Sequence, residues 1–217
     1  MTVVATPDGV VGEHVVVALA GSARDAARLS FDNGIGRLDL RAGPELTGLL
    51  DARFAEHPPV VWAAGNNVHV EYPLGSRLLH RTRRASMRVN PSVSWTVDVH
   101  GGADHVYADL TGVDVQSIAF HSGAAHVRLV LDHPTGPRTI RLASVKDVRI
   151  DRPPGVAVRL DVAKGATDIA VDGQRFGAVG GGLSQQTPGY HTAAARYLII
   201  VSGGADTLTV GQAARRN

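Results

Sequence analysis

The sequence contains no cysteine, few aromatic residues, two lysines and no long apolar run. Without cysteine the chain has no disulfide framework, no thiolate metal site and no cysteine nucleophile. Aromatic residues are only 5% of the chain, so the stacking platforms that single-stranded nucleic acids use are scarce. No stretch approaches the roughly 18 apolar residues of a membrane span. Disulfide-stabilised scaffolds and cysteine enzymes are therefore excluded.

The residues that are present predict a globular chain of many short strands. Hydrophobic residues are 44% and charged residues 19% of the 217 residues, which is enough to bury a core. The 25 glycines are spread over turns, which favours strands over long helices. Segment 14–23 resembles the apolar core of a signal peptide, but acidic Asp8 and Glu13 precede it and no basic residue does. We therefore expect a soluble, cytoplasmic protein.

A small turn recurs along the chain with a constant spacing of 21 residues. The first apolar residue after the turn marks each copy: Val106, Val127, Val148 and Ile169. Looser copies of the turn occur in three further segments, at 33–40, 63–72 and 202–210. A fixed period near 20 residues is typical of stacked repeat architectures.

Apolar and polar residues alternate on both sides of the turn. In "HVYADL" (105–110), for example, Val106, Ala108 and Leu110 share one face. Such alternation predicts strands with one buried and one solvated face. The only segments with a helical pattern are 22–29 and 44–55, and both patterns are weak.

Two all-β architectures fit this pattern. A β-solenoid, resembling a single-stranded right-handed β-helix with a repeat of about 21 residues, requires the constant period, whereas a β-sandwich does not. The period favours the solenoid, and the sandwich stays open as the alternative. We expect one domain over 1–217, with degenerate repeats and a cap in 1–94 and regular repeats in 95–217. Residues 177–190 interrupt the repeats and predict an exposed loop.

The repeats also resemble a known family. The segments "DLTGVDVQSIAFHSGAAHVRLVLDHP", "PPGVAVRLDV" and "YLIIVSGGADTLTV" are similar to the bacterial toastrack domain. This is the repetitive β domain of LiaF-like envelope-stress proteins and of adhesin-like proteins. The similarity is clearest over 95–210. It implies a solenoid-like all-β fold and a sensing or interaction platform, and it implies no catalytic residues.

Four histidines form two pairs at the repeat spacing, His100 with His121 and His105 with His126. Each follows or precedes an inward residue, so all four side chains are predicted to point outward. In a solenoid the partners would lie about 5 Å apart on neighbouring coils. Paired imidazoles are candidate metal ligands or a pH sensor. Inheritance of a solvated position through the repeats is the alternative.

The densest basic run lies in "GSRLLHRTRRASMR" (75–88). Its arginines are candidates for an anion or partner contact: Arg77, Arg81, Arg83, Arg84 and Arg88. No aromatic residue interleaves with them, so we expect no nucleic-acid partner. A solvated connector is the alternative interpretation.

Signatures of catalysis are missing from the sequence. Loop 177–190 is glycine-rich but lacks the ending of a phosphate-binding loop, and no Gly-x-Ser-x-Gly or His-Glu-x-x-His motif occurs. We therefore predict a non-enzymatic interaction or scaffold module without a cofactor, acting in bacterial envelope-stress signalling or self-assembly. Its partner would be another protein or a second copy, and it would contact a membrane only indirectly. A ligand-binding, metal-binding or hydrolytic protein, using the histidine pairs or loop 177–190, is the alternative.

Overall fold

The computed structural model describes residues 2–21, 26–73 and 83–213, and in these residues the protein is all-β. Alternating burial along the strands follows the alternating sequence pattern. The described strands are β1 (Thr2–Val4), β2 (Val10–Val11), β3 (His14–Val17), β4 (Ala27–Phe31), β5 (Ile35–Ala42), β6 (Leu50–Ala55), β7 (Val60–Ala64), β8 (Asn67–Glu71), β9 (Arg84–Val89), β10 (Trp95–Val99), β11 (Ala103–Asp109), β12 (Val115–Val130), β13 (Pro137–Arg152), β14 (Ala157–Val162), β15 (Ala166–Val171), β16 (Gln174–Phe176), β17 (Leu183–Gln186), β18 (Arg196–Val201) and β19 (Ala205–Gln212).

Two parallel series of strands make up the centre of the molecule. The first series runs β8, β4, β10, the first half of β12, the first half of β13, β18 and β14. The second runs β9, β5, β11, the second half of β12, the second half of β13, β19 and β15. Strands β12 and β13 are 16 residues long and pass through both series. An antiparallel β-sandwich does not have such parallel pairing.

The spatial order of the repeats differs from their order along the chain. Val148 pairs with Leu208, and Leu208 in turn pairs with Ile169. Ile169 therefore does not lie next to Val148 in space, although the spacing between them along the sequence is also 21 residues. The repeat that contains Leu208 is the last along the chain, but in space it lies between the repeats that contain Val148 and Ile169. The expected neighbours Val106 and Val127 do pair in register.

The core lies between the two series of strands. Each series contributes buried apolar rows, and one row of the second series contains Ala85, Leu38, Val106, Val127, Val148, Leu208 and Ile169. Side chains of both series meet across a narrow internal gap, with Val99 and Phe120 on one side and Leu40 and Leu129 on the other. Burial of each such side chain contributes roughly 1.5–3 kcal/mol, which fixes the register of every strand.

Antiparallel strands cover both ends of the stack. At one end β6 and β7 pair with β9 and β8, and β3 and β2 follow outside them. At the other end β17 pairs with β14, and β16 pairs with β15. Segment 177–190 therefore contains a strand, β17, rather than only an exposed loop. Likewise, 27–29 and 50–55 lie in β4 and β6, so the weak helical patterns do not form helices there.

Polar contacts through Asp114 join three successive repeats. Its carboxylate accepts hydrogen bonds from Ser94 before β10, from Thr135 before β13 and from Arg138 on β13, the last at 3.0 Å. Burial alone would raise the pKa of Asp114, but the hydrogen bonds from Ser94 and Arg138 and the positive charge of Arg138 hold it below its ordinary value. Ionised Asp114 therefore stabilises the folded state.

The variant Asp114→Asn is expected to lower the free energy of unfolding by about 1–2 kcal/mol at pH 7, because hydrogen bonds to a charged group are weakened. The lowered pKa makes this contribution complete above the unfolded aspartate pKa of about 3.9, and the contribution disappears as the pH falls through the folded value. Urea unfolding at pH 7, 5, 4 and 3 measures the difference in the free energy of unfolding between the wild type and the variant, which should shrink as the pH falls. Asp206→Asn, at an exposed position on β19, is the control and should change the free energy of unfolding at pH 7 by less than about 0.5 kcal/mol.

Candidate functional site

The outer face of the second series carries the first histidine pair. His105 on β11 and His126 on β12 are paired in register, and both are exposed. Their rings stack with centroids 4.8 Å apart and planes 12° from parallel. Asp147 on β13 lies 3.2 Å from Nδ1 of His126. The prediction that these side chains point outward on neighbouring strands is confirmed.

The second pair lies where the chain turns from the first series to the second. His100 and His121 stack with centroids 4.5 Å apart and planes 5° from parallel. Nε2 of His121 lies 3.2 Å from Oδ1 of Asp98, which is only 7% exposed. Arg28 on β4 lies 3.3 Å from the other oxygen of Asp98. Asp98 therefore holds His121 in place and is itself held by an arginine.

The stacked geometry of both pairs is poorly suited to a shared metal ion. A metal ion requires ring nitrogens about 2.0–2.1 Å away whose lone pairs converge on it. The lone pairs of two stacked, nearly parallel rings lie in two separate planes and do not converge on one point. Among the described residues, no group of three or more His, Asp or Glu side chains could hold a metal ion. Metal binding by the four histidines stays a prediction, and it requires rotation of the rings.

The arginine run separates into residues with different roles. Arg77 and Arg81 lie outside the described residues. Arg83 is 3% exposed, donates a 2.7 Å hydrogen bond from Nη1 to the carbonyl of Asn33 and lies over the ring of Tyr72, so it supports the fold instead of contacting a partner. Arg88 is exposed and pairs with Glu45. Arg84 is exposed on the outer face of β9.

A shallow groove brings Arg84 together with the first histidine pair. It has a volume of about 480 Å³ and is lined by Arg37, Arg84, Asp104, His105, Ala125, His126 and Lys146. Arg37 pairs in register with Arg84 on one side and with His105 on the other. The sequence does not single out Arg37 and Lys146, because they lie outside the basic run and reach the groove only through strand pairing.

A second groove lies beside β17 at the end of the stack. Residues 186–192 line it, and its volume is about 390 Å³. Tyr190 is buried against the guanidinium of Arg196, which lies 5.4 Å from its ring centroid. Thr187 and Thr192 line the groove with His191, and their hydroxyls donate to the backbone carbonyls of Val158 and Gly189.

No helix of the described residues is long and apolar enough to cross a membrane. Comparison of the sequence with known protein families finds no match, and comparison with curated proteins finds none either. Comparison of the fold finds a crystal structure from Clostridium sporogenes described as a "putative cell adhesion protein". The TM-score is 0.70 at 15% sequence identity, over 92% of this chain and 99% of the other. The chain therefore shares the all-β fold of that adhesin-like protein.

Proposed function

We propose that the protein is a non-enzymatic interaction module of the toastrack type, built as a β-solenoid, that associates with copies of itself or with another protein. The in-register parallel pairing of successive repeats, such as Val106 with Val127, supports the solenoid. The fold shared with the adhesin-like protein is compatible with an interaction role.

The observation that carries self-association is one end of the stack. Among the described residues, β1 pairs only with β3 and β2 only with β7, so each of these terminal strands has an open edge. Val4 on β1 and Val11 on β2 are 57% and 60% exposed, and they are the large apolar side chains that the described surface exposes. An open edge with exposed valines favours strand pairing with a second copy.

The substitutions Val4→Lys and Val11→Lys together are expected to convert an associated protein into a single chain. A lysine on each edge strand places positive charges opposite each other across the interface, which blocks edge pairing. Size-exclusion chromatography with light scattering across a concentration series measures the mass. Thr207→Lys, within the stack on β19, is the control and should leave the mass unchanged. A wild-type protein that remains a single chain at every concentration contradicts self-association.

A further inference from the structure

A hydroxyl, an imidazole and a carboxylate form a hydrogen-bonded line on three neighbouring strands at one end of the stack. Oγ1 of Thr2 on β1 lies 2.8 Å from Nδ1 of His14 on β3, and Nε2 of His14 lies 3.0 Å from Oδ2 of Asp51 on β6. Thr2 is exposed, whereas His14 and Asp51 are partly buried. Among the described residues, Thr2 carries the only hydroxyl within hydrogen-bond distance of a histidine ring nitrogen.

The register of the strands explains why these three side chains meet. Thr2 and His14 are direct partners in the parallel pair of β1 and β3, so their side chains leave the same face of the sheet. In the antiparallel pair of β3 and β6, the direct partner of Asp51 is Val16. Asp51 is therefore the diagonal neighbour of His14, which is within reach of an imidazole. Strand pairing, and not a loop, holds the line together.

Asp51 selects the tautomer in which His14 can act as a base. A carboxylate only accepts hydrogen bonds, so Nε2 of His14 carries the proton that is donated to Asp51. In the neutral ring Nδ1 then has a free lone pair, and the hydroxyl of Thr2 is the donor to it. A hydroxyl bonded to a base that a third group orients is the arrangement of an activated nucleophile.

A cation stands beside this line. Arg53 on β6 is the direct partner of His14 and is exposed. In the part of the chain that the structure describes, no carboxylate lies within ion-pair distance of its guanidinium. Negative charge develops on the carbonyl oxygen of an acyl group when a hydroxyl attacks it, and a guanidinium nearby stabilises that charge. The end of the stack thus combines a nucleophile, an oriented base and a cation.

We propose that Thr2 is an acyl-acceptor site, which takes an acyl group from an activated ester or thioester. The hydroxyl oxygen bonds to the acyl carbon while its proton passes to Nδ1 of His14, and the bond from the acyl carbon to the leaving group breaks. The leaving alcohol or thiol receives that proton from His14, so the imidazole ends neutral and Thr2 carries an ester. The site goes beyond the proposed interaction function and does not depend on self-association.

The ester on Thr2 should persist after it forms. Threonine alkoxide is a far more basic, and therefore poorer, leaving group than the one that an activated donor releases. The reaction is a single modification of the chain rather than turnover, in keeping with a non-enzymatic module. Val4 lies two residues further along β1 on the same face and is 57% exposed. An acyl group on Thr2 would therefore enlarge the apolar surface at this edge.

Incubation of the whole chain with p-nitrophenyl acetate, followed by peptide mass spectrometry, tests the site. We expect one acetyl group on Thr2 that neutral hydroxylamine removes, because hydroxylamine cleaves an ester but not the amide of an acetylated amine. Thr6 is the internal control, since it is equally classed as exposed and lies four residues away. No histidine ring of the described residues lies within hydrogen-bond distance of its hydroxyl, so it should stay unmodified.

Variants separate the oriented base from general imidazole catalysis. His14→Gln and Asp51→Asn should each slow acetylation of Thr2 by about 100-fold, because the first removes the base and the second no longer fixes its tautomer. His133→Gln is the matched control, since His133 also lies near an aspartate, Asp132, but contacts no hydroxyl. It should be acetylated at Thr2 as fast as the wild type. Thermal unfolding establishes that all three variants are folded.

Three results would overturn the acceptor site. They are a wild type without an ester on Thr2, equal acetylation of Thr2 and Thr6, and a folded Asp51→Asn variant that reacts as fast as the wild type. Light scattering of the unmodified wild type reads self-association separately, so failure of the acceptor site and failure of the proposed function give different results.

Discussion

Replacing Asp172 with asparagine is expected to lower the free energy of unfolding by about 3 kcal/mol, because it removes the counter-charge of a buried arginine. Arg152 ends β13 and is 2% exposed. Its two terminal nitrogens lie 2.9 and 2.7 Å from the two carboxylate oxygens of Asp172, and Nη1 also donates to the carbonyl of Gly211. The pair thus connects β13 and the turn after β15 across the end of β19. Asparagine would turn an NH₂ group towards the guanidinium.

Asparagine is the appropriate replacement because residue 172 has a positive φ of 49°. Asparagine tolerates this left-handed conformation about as well as aspartate, so the variant changes charge without straining the backbone. Asp39→Asn is the control, since Asp39 pairs with Arg41 at the exposed surface and the loss should be below about 1 kcal/mol. Urea unfolding of both variants measures the difference.

The double variant Arg152→Met and Asp172→Asn separates the charge from the packing. Methionine fills similar space without a charge, so most of the lost stability should return. If Asp172→Asn and Asp39→Asn are equally stable, Arg152 is not held by its partner as the structure shows. If the double variant is as unstable as the single one, the loss reflects packing at residue 152 rather than an unpaired charge.

Local pattern was sufficient to predict the all-β class and the histidine pairs. Alternation along "HVYADL" placed Val106 inward and His105 outward, and the 21-residue spacing placed His126 beside it. Both follow from the period of two in a strand and from pairing between adjacent repeats. They require no knowledge of distant parts of the chain, which explains why sequence analysis could reach them.

The order of the repeats at the ends of the stack could not be predicted in the same way. Ile169 and Leu208 both satisfy the pattern that follows Val148, and the pattern does not state which of them is its neighbour. The burial of Arg83 and Arg152 likewise cannot be predicted from local pattern, because it depends on partners in other parts of the chain. Arg83 binds Asn33, and Arg152 binds Asp172. Arg37 reaches Arg84 only because β5 lies between β9 and β11. Tertiary pairing, rather than local propensity, decides these features.

Gly101→Ala is the second substitution with a large expected effect, about 3 kcal/mol of lost stability. Gly101 lies at the corner between β10 and β11, against the corner of residues 33–34 between β4 and β5. A methyl group there would stand 2.6 Å from the carbonyl carbon of Asn33 and 2.7 Å from Cα of Gly34. Both are backbone atoms, so no side-chain rotation can relieve the overlap. Gly34 itself has a φ of +77°, a left-handed conformation that residues with a side chain adopt only with strain.

Hydrogen bonds fix the two corners against each other, which is why the overlap must be costly. The amide of Ile35 donates to the carbonyl of Gly102 at 2.9 Å, and the amide of His100 donates to the carbonyl of Phe31 at 3.0 Å. Separating the corners to admit a methyl group would weaken both bonds. Gly123→Ala is the matched control, since a methyl group at Gly123 meets no atom within 4 Å. It should be neutral or stabilise by up to about 1 kcal/mol. Equal urea midpoints for the two variants would show that the corners do not touch, and the close stacking of these two repeats would then be wrong.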